Sequence, residues 1–110
     1  MPYTYNRDEA HQYEVFQLPV SHPSCFRGSP VPPIKEYKSV YQGEVFGDPQ
    51  IFNSQMALLD VIYDMLNINQ PEDYTGRSLT TSDVVKLDGV YYLCGYVGWR
   101  ILKEDQISEI

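Results

Sequence analysis

Two runs of strand-forming residues, Val84-Val85-Lys86-Leu87 and Val90-Tyr91-Tyr92-Leu93, flank the dipeptide Asp88-Gly89. Asp-Gly supplies the positive φ angles of a two-residue type I′ turn, so the pattern predicts a β-hairpin. A two-residue loop sets Leu87 opposite Val90, Val85 opposite Tyr92 and Val84 opposite Leu93. Cross-strand pairs of this kind stabilise by roughly 0.2–1 kcal/mol each. The longer stretch from Tyr74 to Ile101 holds this hairpin, the densest strand-forming residues and the only tryptophan, Trp99.

Earlier in the chain, Tyr13-Glu14-Val15-Phe16-Gln17-Leu18 reads as a strand that Pro19 ends. Glu14, Phe16 and Leu18 share one side, and Tyr13, Val15 and Gln17 the other, a mixture that predicts partial cover on both faces. Five of the eight prolines fall between Pro19 and Pro33, which reads as a long loop. A second extended segment follows from Ile34 to Phe46, strongest from Tyr37 to Val45.

Asp48-Pro49 then suits the N-cap and first position of a helix, with Asn53 or Ser54 as alternatives. Phe52, Met56, Leu59, Tyr63 and Leu66 keep helical spacing, and Leu58, Val61, Ile62 and Met65 widen the apolar arc beyond half the circumference. Asn53, Asp60, Asp64 and Asn67 form the narrow polar strip. Such a helix is either packed between two elements or shows an apolar flank to a partner. Asn67 or Asn69 suits a left-handed C-terminal position, and Pro71 prevents continuation. After the hairpin, Gly95 and Gly98 mark a bulge or close approach, and Trp99 to Leu102 forms a last strand.

The resulting expectation is one α+β domain, a small bent antiparallel sheet packed on one main helix in the order β-β-α-β-β-β. Residues 1–12 are expected as a flexible arm, 13–102 as the domain and 103–110 as a polar, acidic tail.

Composition narrows the function. The chain has 110 residues, 43% hydrophobic and 21% charged, enough for one core without a disulfide or metal. Ten tyrosines favour β structure and aromatic contact surfaces. A net charge of −7, with eight basic residues scattered among fifteen acidic ones, argues against nucleic acid as partner of the isolated domain. Fifteen carboxylates over all faces also fall short of a DNA mimic, since duplex DNA carries a charge every ~1.7 Å. The polar N-terminus carries no apolar signal run, and no apolar stretch reaches the roughly eighteen residues of a membrane span. A cytoplasmic location without membrane contact is expected, with Cys25 and Cys94 as reduced thiols.

Arg77-Ser78-Leu79-Thr80-Thr81-Ser82-Asp83-Val84-Val85 is the most specific local feature. Ser78 suits the cap of a short helical turn, Asp83 suits backbone amides at the turn-to-strand junction, and Arg77 suits Asp83 or nearby carbonyls. Turn chemistry accounts for all of these residues. A binding pocket lined by Arg77, Ser82 and Asp83 is the functional alternative. His22-Pro-Ser-Cys25 has the spacing of a metal half-site but lacks further soft ligands beyond Cys94 and His11, so no metal and no cofactor are expected. Two histidines in a loop and an arm make no oriented base for a nucleophile, and no phosphate-binding glycine loop is present. Tyr91, Tyr92, Tyr96 and Trp99 remain as aromatic residues, of which Tyr92, Tyr96 and Trp99 join the candidate binding set as a protein-facing patch.

The chain also resembles the YodL-like domain, a small bacterial domain found in proteins of conjugative elements and phages. The matching residues are Val15-Phe16-Gln17-Leu18, Val40-Tyr41-Gln42-Gly43-Glu44, Asn67, Pro71, Tyr74-Thr75-Gly76-Arg77-Ser78-Leu79, Ser82-Asp83-Val84-Val85, Tyr91-Tyr92 and Gly98-Trp99. They span about residues 13 to 102. Trp99 stands where the pattern has phenylalanine, and the proline-rich insert at 19–33 departs from it. The resemblance implies no catalytic residue. It implies an accessory domain of mobile-element proteins, sometimes beside DNA-processing or antirestriction domains. The expected function is a non-enzymatic module that binds a protein partner. A nucleic-acid-associated module acting with a basic partner comes second, and a small hydrolase-like enzyme third.

Overall fold

In the computed structural model, the structure describes residues 10–27, 31–46, 55–96 and 98–103. The hairpin follows its turn chemistry. Asp88 and Gly89 take φ of 50° and 87°. Strand β3 (Val84–Leu87) pairs antiparallel with β4 (Val90–Cys94), with Leu87 opposite Val90, Val85 opposite Tyr92 and Val84 opposite Leu93.

Around this hairpin, β1 (Ala10–Gln17) pairs with β3 on one side and with β2 (Lys38–Phe46) on the other, and β5 (Trp99–Ile101) extends β4. The sheet order is β2-β1-β3-β4-β5, with every neighbour antiparallel. Helix α1 (Gln55–Ile68) falls between β2 and β3 in the chain. The fold is therefore α+β, one helix on a five-stranded antiparallel sheet.

The details differ from expectation at several boundaries. A single 3-10 turn, Ile34–Glu36, stands where an extended start to β2 was expected. Pro33, at φ −58°, offers its carbonyl to the Glu36 amide at 3.0 Å, and buried Ile34 anchors the turn. Strand β1 begins at Ala10, inside the expected arm, because Ala10 to Gln12 pair with Phe46 to Glu44. The β4–β5 connection is a tight turn, with Gly98 at φ 69° and the Gly95 amide donating to the Gly98 carbonyl at 2.9 Å. Neither Asn67 nor Asn69 is among the described residues with positive φ. Asn67 instead clamps the backbone of Leu79 from both sides, its Oδ1 accepting from the amide at 2.5 Å and its Nδ2 donating to the carbonyl at 3.1 Å. The Asp48, Asn53 and Ser54 cap positions lie outside the described residues, as do most of the expected arm and the acidic tail.

Both faces of the sheet are covered, as the mixed pattern of β1 requires. On one face Leu58, Leu59, Ile62 and Leu66 of α1 meet Tyr13, Val15, Val45, Val85, Leu87 and Tyr92. Fully burying one such side chain stabilises by about 1.5–3 kcal/mol, and the four buried ones together hold the 14-residue helix on the sheet. On the other face Val84 and Leu93 meet Leu18 just after β1, Cys25 of the proline-rich loop, Ile34 and Tyr37 of the turn after it, and Leu102 after β5. That loop acts as the second cover. Prolines limit its unfolded conformations and so reduce the entropy lost on ordering it. Met56 and Tyr63 are left exposed on α1, and the Tyr63 ring packs on Trp99 of β5, where the sheet ends.

Candidate functional site

The segment from Gly76 to Asp83 runs from the β1–β2 side of the sheet to the start of β3. Its polar groups are largely spent on backbone. Asp83 is fully buried, and its Oδ2 accepts from the Thr80 amide at 2.9 Å and from Gln17 Nε2 at 3.1 Å. Gln17 also brackets the backbone of Arg77, donating to its carbonyl at 3.0 Å and accepting from its amide at 2.9 Å. The Arg77 guanidinium turns to the Leu18 carbonyl, 2.5 Å from Nη2, and lies over the Phe26 ring at 5.2 Å. Ser82 takes φ of 88°, accepts the Phe26 amide on Oγ at 2.9 Å and receives the Tyr37 hydroxyl on its carbonyl at 3.0 Å. Ser78 is exposed and caps no helix among the described residues.

Burial raises the Asp83 carboxyl from 3.8 to about 6, against the hydrogen bonds from Thr80 and Gln17 and the nearby Arg77 charge. Burial, then the Asp83 charge, drives Tyr37 well above the usual phenol range. Two buried atoms, Asp83 Oδ1 and Arg77 Nη1, have no hydrogen-bond partner among the described residues. Arg77, Ser82 and Asp83 thus meet in one polar node. It ties β1, the proline-rich loop and the hairpin together, and Asp83 and Ser82 are closed to solvent. Gln17 was missed as a member. Its place among the inward positions of β1 was the signal, since a buried glutamine needs polar partners.

The aromatic candidates divide. Tyr92 is only 4% exposed and lies in the core under α1, so it is removed from any contact surface. Its place follows from its pairing opposite the central residue Val85. Tyr96 and Trp99 instead line a shared cleft of about 230 Å³ between α1 and the β4–β5 turn, together with Asp60, Tyr63, Thr80, Thr81 and Cys94. The Trp99 and Tyr63 rings meet edge to face, 6.4 Å between centroids and 86° between planes. Trp99 Nε1 donates to Asp60 Oδ1 at 3.2 Å, fixing the indole against the helix. Tyr96 is 77% exposed and Ile101 53%. Among the described residues nothing pairs with the outer edge of β5. Asp60 and Tyr63 were legible only as helix positions on a polar strip and an apolar arc. Their joint use with Trp99 depends on where α1 crosses the sheet.

The remaining candidates are occupied. His22 Nδ1 accepts from the Ser24 amide at 3.0 Å, which leaves Nε2 to donate to Glu36 at 2.6 Å. The Cys25 thiol faces the Leu18 carbonyl at 3.8 Å. Both cysteines are free and buried, and burial pushes the Cys94 thiol up to about 11, far from a reactive thiolate. Among the described residues no group of three metal-ligating side chains converges. No described helix is long and apolar enough to cross a membrane.

Residues 26–100, about two thirds of the chain, match the model of the family described as the YodL-like domain. Comparison with curated proteins gives no match, and comparison with solved structures gives none either.

Proposed function

The chain belongs to the YodL-like domain family, and on that premise we propose that it is a non-enzymatic module that binds a protein partner along the α1–β5 margin. One observation carries this reading. Tyr63, Tyr96, Trp99 and Ile101 form an aromatic and aliphatic surface beside the outer edge of β5. Aromatic residues are favoured at the centres of protein interfaces, and a strand edge offers amides and carbonyls to an added strand. The proposed setting is an accessory protein of a mobile element, as the family resemblance implies, and the proposed location is the cytoplasm.

The test compares retention of proteins from an extract of the source cell by the wild-type chain and by Tyr96→Ser/Ile101→Asp. Both changes are at exposed positions, and a matched urea midpoint establishes that the variant is folded. A protein held by the wild type and lost by the variant supports the module. Identical retention by the two overturns it.

A further inference from the structure

We infer that the cleft between α1 and β5 is a receptor for a cationic side chain, lysine or arginine, carried by an extended segment of the partner. The inference rests on the interaction reading above and names the chemistry of its ligand.

Size limits the choice first. About 230 Å³ is below the ~300–1,000 Å³ of pockets that enclose whole small molecules, and suits one long side chain. Its walls select the kind. Tyr63 and Trp99 stand nearly perpendicular, and Tyr96 projects beside them. Aromatic faces carry negative potential and attract an ammonium or guanidinium group. The rim adds a carboxylate, because exposed Asp60 gives one oxygen to Trp99 Nε1 and has no other side-chain partner among the described residues. An apolar side chain filling the same cleft would strip water from that carboxylate without replacing it, which is unfavourable. A cation replaces it with an ion pair.

Arg100, the cation within β5 itself, does not fill the role. Arg100 of β5 points to the opposite face of the sheet from Trp99 and Ile101, by strand alternation. The chain as a whole carries −7, which favours approach of a basic segment at long range. The outer edge of β5 sets the segment's conformation. A strand added there presents alternate side chains to the helix side, where the cleft opens. The segment is therefore basic and extended, with its cationic residue flanked by strand-forming ones.

Trp99 is the only tryptophan, so its emission reports on this cleft alone. The full chain is titrated with the peptide acetyl-Thr-Val-Lys-Val-Thr-amide and with the same peptide carrying norleucine for lysine. The lysine peptide is expected to shift Trp99 emission saturably, with a Kd at least about five-fold below that of the norleucine peptide. Raising salt from about 50 mM to about 500 mM should weaken the lysine peptide and leave the other nearly unchanged. Asp60→Asn, which keeps an acceptor for Trp99 Nε1, should bring the two peptides to equal affinity. Equal affinity for the wild-type chain overturns the cationic inference and leaves the module standing. Silence of Trp99 with both peptides to millimolar concentration also overturns it, while the module is decided separately by the retention experiment.

Discussion

Asp83→Asn is the most informative single change, because it separates a buried charge from the hydrogen bonds around it. Asp83 is fully buried, and Oδ2 carries both of its bonds. Asparagine can place its oxygen at that position and keep the Thr80 and Gln17 contacts. Its amide then occupies the site of Oδ1, which has no partner among the described residues, a pH-independent cost of about 1–3 kcal/mol. The pH-dependent part belongs to the wild type alone. Below about pH 3.8 the folded and unfolded wild-type chains both hold the proton. Between 3.8 and about 6 the unfolded chain releases it while the folded chain keeps it. The folded state then binds more protons, so stability falls as pH rises, levelling off above about 6. At ~1.36 kcal/mol per pKa unit, a rise from 3.8 to about 6 corresponds to about 3 kcal/mol. The assay is urea unfolding of both proteins from pH 4 to 7.5. The stability of Asp83→Asn minus that of the wild type should climb by about 2–3 kcal/mol across that range, the other carboxylates cancelling in the difference. A flat difference, or one that falls with pH, would show that Arg77 and the hydrogen bonds outweigh burial, and would refute the reasoning.

Three further changes test the frame around the node. A Cβ at Gly76 would stand 2.7 Å from the Tyr74 hydroxyl, 2.7 Å from Val40 Cγ2 and 2.9 Å from Gln17 Oε1. Gly76→Ala should therefore destabilise by about 1–3 kcal/mol in urea unfolding, and an unchanged midpoint would mean the node yields freely. Gly89→Val meets open space but keeps φ at 87°, so its loss of more than about 1 kcal/mol would be backbone strain alone; no loss would reject the type I′ turn. Asn67→Ala removes two hydrogen bonds to Leu79 and should lower stability by about 1–3 kcal/mol, with faster amide exchange at Leu79 as its local signature.

The polar node shows how turn chemistry can use the same residues as a pocket. Gly76 to Asp83 is rich in hydroxyls and charge, the composition of a pocket. Its geometry instead links three parts of the chain with one carboxylate, one glutamine and one guanidinium. Most of their hydrogen bonds run to main-chain groups or to each other. The surface proposed for a partner lies elsewhere, on the aromatic margin.

What the sequence determined was local. Asp88-Gly89 specified the hairpin and its register, because positive φ at two adjacent residues admits few other chain reversals. The helix over Met56 to Leu66 was legible from its period, and the two-sided burial of β1 from its mixed alternation. Tertiary structure decided the rest. The insertion of β1 between β2 and β3 joins residues some seventy positions apart, such as Val15 and Val85, and no local preference encodes that pairing. It brought Gln17 to Arg77 and Asp83, and so joined the candidate residues in a node whose Ser82 and Asp83 are buried. The covering of the second face by the proline-rich loop followed from the same insertion, since Val84 and Leu93 needed apolar partners there. Where α1 crosses the sheet brought Asp60 and Tyr63 to Trp99, and buried Tyr92 while leaving Tyr96 in solvent. Side-chain periodicity says which residues share a face. Only the docking of one element on another says which faces meet.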